Sequence, residues 1–208
     1  MRKIPKKLQK RLLKGCMKFK TFVFDLDGTL VELNLPFDEI REAVGIKERF
    51  ILETIRKMDV KKQKESFKIL EQFEIKAARK TKLIDGVNDV LSLIERNGLK
   101  KGIVTRNCRK SVDIITQKFN LNFDFVITRE DAEPKPSPEP INLALKITKS
   151  HPKESVTVGD FKFDLIAGRL AGTKTALVLN QKNKEMAKDF MHLADFVLKD
   201  IRELIRFI

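Results

Sequence analysis

Thr21-Phe22-Val23-Phe24-Asp25-Leu26-Asp27-Gly28-Thr29-Leu30 is the stretch whose reading decides the fold. Its first four residues are apolar or β-branched and read as a buried strand. The run stops at two carboxylates one residue apart, followed by a glycine and a hydroxyl. Two like charges at the mouth of a sheet are costly unless a cation offsets them. In an open α/β sheet, ligands bind at the carboxyl ends of the strands. Asp25 and Asp27 therefore read as a nucleophile and its helper, sharing a divalent metal. The plainer alternative makes both acids turn residues, with Gly28 supplying a positive φ.

That alternative fails against three pieces further along, each at the end of its own strand-like run. Ile103-Val104-Thr105 is followed by Arg106 and Asn107. Lys135 stands in Pro134-Lys135-Pro136-Ser137-Pro138. Val156-Thr157-Val158-Gly159 leads into Asp160, with Asp164 one helical turn later. Order, residue type and strand-end placement together resemble the four motifs of the haloacid dehalogenase-like hydrolase superfamily. The resemblance runs from about Met17 to about Asn180, and within the superfamily it points to phosphoglycolate phosphatase-like members with a small helical cap.

Around these motifs the chain divides into three parts. Residues 1–16 form a basic extension, with Pro5 and Gly15 placed as the ends of a short helix carrying Ile4, Leu8 and Leu12. Such a helix could lie on a membrane or on RNA; the simpler reading, which is favoured, is a tail preceding a start at Met17. Residues 17–30 and 86–208 read as a Rossmann-like three-layer core with a parallel sheet. Strands are expected near 101–105, 124–127, 155–159, 174–179 and 196–198. Helices are expected near 109–119, 138–149, 162–171 and 183–190, and such alternation argues for a sheet covered on both faces. A last helix would place Ile201, Leu204, Ile205 and Ile208 on one face.

Residues 31–85 contain no strand signal and read as an all-α cap inserted after the first strand. Pro36-Phe37-Asp38 opens one helix, ended by Gly45. Ile51, Ile55 and Met58 mark a second, and Phe67, Leu70, Phe73 and Ala77 a third. Asp85-Gly86 restarts the core with a helix carrying Val87, Val90, Leu91 and Ile94.

Composition excludes some classes and leaves others. With 208 residues, 42% hydrophobic and 35% charged, the chain can bury one core and is not of disordered type. No apolar run approaches the roughly 20 residues needed to span a bilayer. Only Cys16 and Cys108 occur, which suits a reducing cytoplasm. The net charge of +14 attracts anions of every kind, from phosphate to nucleic acid to acidic lipid, so it does not choose a partner.

The resemblance implies Mg²⁺-dependent hydrolysis of a phosphomonoester through an aspartyl-phosphate. Asp25 is then the nucleophile and Asp27 the acid and base. Asp25, the backbone carbonyl of Asp27 and Asp160 hold Mg²⁺, with Asp164 in support; oxygen ligands without Cys or His suit Mg²⁺ better than zinc. Thr105 and the amide of Arg106 hold phosphoryl oxygens, and Lys135 neutralises charge on both the phosphoryl group and Asp25. Gly28, Thr29 and Asn107 support these loops. The Arg106 side chain either reaches the anionic end of the substrate or points to solvent. An acid at position 27 favours phosphoryl transfer over dehalogenation. Phosphonate cleavage, which needs a Schiff-base lysine in the cap, stays open because the insertion is lysine-rich. Phosphomutases of this type carry a cap histidine, and His151 and His192 lie outside the insertion.

A cap that excludes water limits the site to a small phosphorylated metabolite. It argues against a polynucleotide end, though the basic tail allows one. A basic nucleic-acid- or membrane-binding protein on an inactive scaffold is a third reading, against which the intact acids, Thr105 and Lys135 weigh. The oligomeric state is read as monomer or homodimer.

Overall fold

The computed structural model describes residues 18–208, so the readings of residues 1–16 and of a start at Met17 lie outside it. Six strands form one parallel sheet: β1 Thr21–Phe24, β2 Lys100–Val104, β3 Phe125–Ile127, β4 Ser155–Gly159, β5 Lys174–Val178 and β6 Phe196–Leu198. Their order is β3-β2-β1-β4-β5-β6. The chain fills one half of the sheet, then crosses β1 to fill the other. The β1/β4 boundary is therefore the topological switch point, where a crevice opens above the carboxyl ends.

β1 is the central strand, in register with both neighbours: Phe24 lies opposite Ile103 of β2 and Val158 of β4. Buried on both faces, it has the continuous apolar character expected of such a strand. Side chains alternate across it. Phe22 and Phe24 join one core with α4 (Val87–Arg96), α5 (Arg109–Lys118) and the C-terminal segment. Val23 joins the opposite core with α6 (Glu139–Thr148) and α7 (Lys162–Leu170).

Between β1 and α4 the chain forms three helices, α1 Phe37–Val44, α2 Ile51–Ile55 and α3 Val60–Lys80. Gly45 ends α1 in the left-handed conformation, φ 76°. Ile40, Ile51, Leu52, Ile55 and Leu70 give this insertion an apolar core of its own. Its two ends run side by side, with Glu32 N–H donating to Lys82 O at 2.8 Å and Ile84 N–H to Leu30 O at 3.0 Å.

The buried stripe of α3 is Ser66, Leu70, Glu74 and Ala78, not the expected Phe67, Leu70, Phe73 and Ala77, of which all but Leu70 are half-buried. The stripe is shifted because α3 also packs along α5 of the core. Glu74 accepts Arg129 Nη1 at 2.5 Å and the Cys108 N–H at 3.0 Å, and both charged side chains are buried. Breaking a buried pair leaves an uncompensated charge, at a cost of about 3–5 kcal/mol. Glu74→Ala should lower unfolding stability in urea by about that much, and Glu74→Leu combined with Arg129→Met should recover most of it. A loss below about 1 kcal/mol for the single variant would mean that the pair does not hold the insertion to the core.

Two expected helices take another form. Near 183–190 the chain makes only a 3₁₀ turn, Met186–Asp189. Asn180 and Asn183 side chains accept each other's backbone N–H groups, at 2.9 and 2.8 Å, and so compete with helix formation. The C-terminal segment Ile201–Phe207 is a 3₁₀ helix. With three residues per turn it buries Ile201, Leu204 and Phe207 and leaves Ile205 exposed.

Candidate active site

The acids and the lysine meet above the switch point because each follows a strand end. β1 delivers Asp25, whose N–H donates to Val158 O at 2.8 Å, and β4 delivers Asp160. Thr105 follows β2 and is tied to β3 by its N–H, 2.9 Å from Ile127 O. Lys135, in the loop after β3, has a side chain only 2% exposed. Its ammonium reaches Asp25 Oδ1 at 2.7 Å, Asp164 Oδ1 at 2.6 Å and Val104 O at 2.6 Å. Three acceptors for three N–H bonds saturate it. Burial works against its charge, yet Asp164 and Asp25 outweigh that and hold its pKa above the ordinary lysine value.

Asp164 stands in the first turn of α7, and its second oxygen accepts the Phe161 N–H at 3.0 Å. Asp160 is steadied from β5: Asn180 Nδ2 donates to its Oδ2 at 2.9 Å, and Asn183 Nδ2 donates to its backbone carbonyl at 2.8 Å. The same two amides reach Gly28 O and Val178 O, joining the β1, β4 and β5 ends. Neither asparagine was expected at the site from the sequence. The available signal was their position just past β5, on the functional edge of the sheet.

Gly28 has φ 79°, and a Cβ there would lie 2.2 Å from Asp160 Oδ2. Only glycine lets the first turn approach the β4 acid this closely. Asp27 turns away from that contact, and its Oδ1 accepts the Leu33 N–H at 3.0 Å. Thr105 Oγ1 accepts the Asn107 N–H at 3.2 Å. The Asn107 side-chain amide and the Thr29 hydroxyl are buried without a partner among the described residues.

Four carboxylates thus crowd together, two of them on the Lys135 ammonium, while Lys182 acts on Asp27. Burial, then the Asp25 charge, pushes Asp27 up to about 7. Burial, then Asp25 and Asp164, pushes Asp160 up to about 8. Asp25 is also raised, by burial first and Asp164 in addition, with Lys135 pulling the other way. The site is short of positive charge. One oxygen each from Asp25, Asp160 and Asp164 falls within 4.8 Å of the others, a hard-oxygen cluster that fits a divalent cation such as Mg²⁺.

The Arg106 side chain does not point to solvent but turns onto the insertion. Its guanidinium grips Glu53 of α2, with Nη2 at 2.8 and 2.9 Å from the two carboxylate oxygens. It lies 4.7 Å over the Phe163 ring and donates through Nη1 to Lys135 O. A contact spanning 53 positions leaves no local sequence signal. His151 and His192 are both exposed.

The geometry has counterparts. Residues 32–178 match the family model described as haloacid dehalogenase-like hydrolase. An uncharacterized hydrolase of Saccharomyces cerevisiae is 33% identical over 94% of this chain and 94% of its own. The pyrophosphatase PpaX of Bacillus mycoides is 30% identical over 91% of this chain and 96% of its own. In fold, the chain resembles a solved structure titled as a predicted phosphoglycolate phosphatase of Haemophilus somnus, with a TM-score of 0.70, 20% identity, and coverage of 92% of this chain and 99% of that one.

Proposed function

Since the chain belongs to the haloacid dehalogenase-like hydrolase family, we propose that it is a Mg²⁺-dependent phosphatase that hydrolyses a small phosphorylated metabolite through a phosphorylated Asp25. The single observation carrying this reading is the Lys135 ammonium held 2.7 Å from Asp25 and 2.6 Å from Asp164, beside the Asp160 carboxylate. Relatives and neighbours in fold include proteins named pyrophosphatase and phosphoglycolate phosphatase, which supports phosphorus chemistry on small substrates.

In the first half-reaction an Asp25 oxygen forms a bond to phosphorus while the bond to the leaving oxygen breaks. Asp27 gives that oxygen its proton. Its elevated pKa keeps the proton available near neutral pH, and the Leu33 N–H fixes one oxygen, leaving the other for transfer. In the second half, Asp27 takes a proton from water as the water oxygen bonds to phosphorus. Inorganic phosphate leaves and Asp25 is regenerated.

Thr105 and the Arg106 amide hold phosphoryl oxygens, and Lys135 offsets charge gathering between Asp25 and the phosphoryl group. Both Asp164 oxygens are taken, by Lys135 and the Phe161 N–H. Asp25, Asp160 and the Asp27 carbonyl would hold the ion, with Asp164 in support. When bound, Mg²⁺ would shield the carboxylate–phosphate repulsion, roughly 4 kcal/mol per unit pair at 4 Å in an effective dielectric of 20. The insertion (31–85) serves as the cap. With Asp25 only 13% exposed beneath it, a small substrate fits better than a polymer.

Phosphate release from a panel of small phosphomonoesters tests the reading. Activity is expected with Mg²⁺, should vanish in EDTA and should return on adding the ion. Undiminished release in EDTA would remove the ion from the reaction.

A linked test is thermal. Asp27 and Asp160 sit at about 7 and about 8 in the folded chain, against an ordinary 3.8. Acids raised by folding stabilise the fold fully below the ordinary value, and that contribution is lost as pH rises through the folded one. The EDTA-treated protein should therefore gain from these groups on going from about pH 8 to about pH 5. Mg²⁺ should raise Tm more at about pH 8 than at about pH 6, because its ligands must be deprotonated. The opposite order would mean that the ion does not bind Asp160.

A further inference from the structure

The seam between the helical insertion and the core carries an unbalanced set of charges. Phe50, just before α2, packs against Phe163 of α7 with ring centroids 5.4 Å apart. Three cations surround this pair: Arg49 at 5.6 Å from the Phe50 ring, Arg106 at 4.7 Å from Phe163, and Lys162 at 5.4 and 5.7 Å from the two rings. Among the described residues Arg49 and Lys162 make no ion pair, so Glu53 is the one carboxylate balancing three positive side chains here. The neighbouring Arg56 is already paired with Glu133.

The Arg106–Glu53 contact has the form of ligand recognition. One guanidinium nitrogen, Nη2, reaches both oxygens of the carboxylate, a charge-assisted contact of the kind arginine makes with carboxylate or phosphate groups. The guanidinium is held in place for this. Phe163 lies under its plane, and Nη1 is spent on the carbonyl of Lys135, the residue that holds Asp25. Glu53, by contrast, is a side chain 37% exposed on a five-residue helix, and is easily exchanged. A half-exposed pair of this kind contributes little stability.

We propose that Glu53 is an intramolecular stand-in for a second anionic group on the substrate, and that Arg106 is the specificity residue that receives it. This rests on the phosphatase reading and narrows its substrate class to phosphomonoesters whose leaving group carries a carboxylate or a further phosphate. When such a substrate binds, its anion takes the place of the Glu53 carboxylate on Arg106 Nη2 and Glu53 is released. Arg49 and Lys162 then face a negative group where the free protein has only Glu53. An uncharged leaving group cannot make this exchange and leaves the Arg106–Glu53 pair closed.

The test compares phosphoglycolate with 2-hydroxyethyl phosphate, which are similar in size and differ in the carboxylate. Ethane-1,2-diol bisphosphate distinguishes a second phosphate from a carboxylate as the preferred anion. Two readouts are used: kcat/KM by phosphate release, and Kd by calorimetry on the Asp25→Asn protein with Mg²⁺, which needs no turnover.

Glu53→Gln, nearly isosteric, is expected to raise the preference for the two-anion substrates about tenfold, through KM and Kd more than kcat, the scale of one charge-assisted contact. Arg106→Gln should lower it by a similar factor. If neither variant moves the ratio in either readout, the exchange is wrong, while hydrolysis of both esters by the parent protein still upholds the phosphatase reading. If the parent hydrolyses no ester but the Kd ratios shift as described, the phosphatase reading falls and the exchange at Arg106 stands.

Discussion

Replacing Asp25 with asparagine is expected to abolish turnover while leaving the fold in place. The side chain is nearly the same size, so the central strand and its bonds to β4 are untouched. What disappears is the anionic oxygen that bonds to phosphorus. Uncatalysed phosphomonoester hydrolysis is so slow that enzymes accelerate it by up to ~10²¹, and general acid–base catalysis supplies only ~10²–10⁴ of that. Without the covalent step the remaining groups cannot sustain measurable phosphate release. The check is a phosphate-release assay alongside circular dichroism, with the parent protein trapped by beryllium fluoride on Asp25. Asp25→Asn with rates within about tenfold of the parent would refute the covalent mechanism.

Lys135→Met is expected to damage both stability and rate. Among the described residues the ammonium is the only cation touching Asp25 and Asp164, and it is 2% exposed. Methionine fills most of the space but leaves two buried carboxylates unpaired, costing about 3–5 kcal/mol. The loss should depend on pH in a defined direction. Without the ammonium, Asp25, already raised by burial, is pushed further up, so the variant regains stability as pH falls and loses it as pH rises. Turnover should drop by about 10²–10³ or more, since a preorganised charge aimed at the phosphoryl group is lost. A destabilisation that is the same at about pH 5 and about pH 8 would show that the carboxylates are not the cause.

Some of this architecture is legible because its causes are local. The Thr21–Phe24 run is apolar or β-branched at every position, as a strand covered on both faces demands, and it forms the centre of the sheet. Asp25, Thr105, Lys135 and Asp160 all follow strand-like runs, and a parallel sheet brings such ends to one edge. Gly45 after α1 and the helix beginning at Val87 likewise follow from residues a few positions away. Where side chains compete with the backbone, the local pattern misleads. Asn180 and Asn183 bond each other's N–H groups, and only a 3₁₀ turn survives where a helix was expected.

By itself, then, the sequence determined the parallel α/β sheet, the position of the helical insertion and the strand-end residues that make up the site. Those depend on hydrophobic period and on the rule that parallel strands expose their carboxyl ends together. Only the tertiary structure decided what those residues face. Glu74 reads as one more solvent-side acid of a charged helix until α3 lies along α5 and buries it against Arg129. Arg106 meets Glu53 because α2 is brought over the loop after β2. Asn180 steadies Asp160 from a neighbouring strand 20 residues away. The reason is physical: periodicity reports which face of an element is buried, whereas the partner of a buried charge depends on which elements pack together.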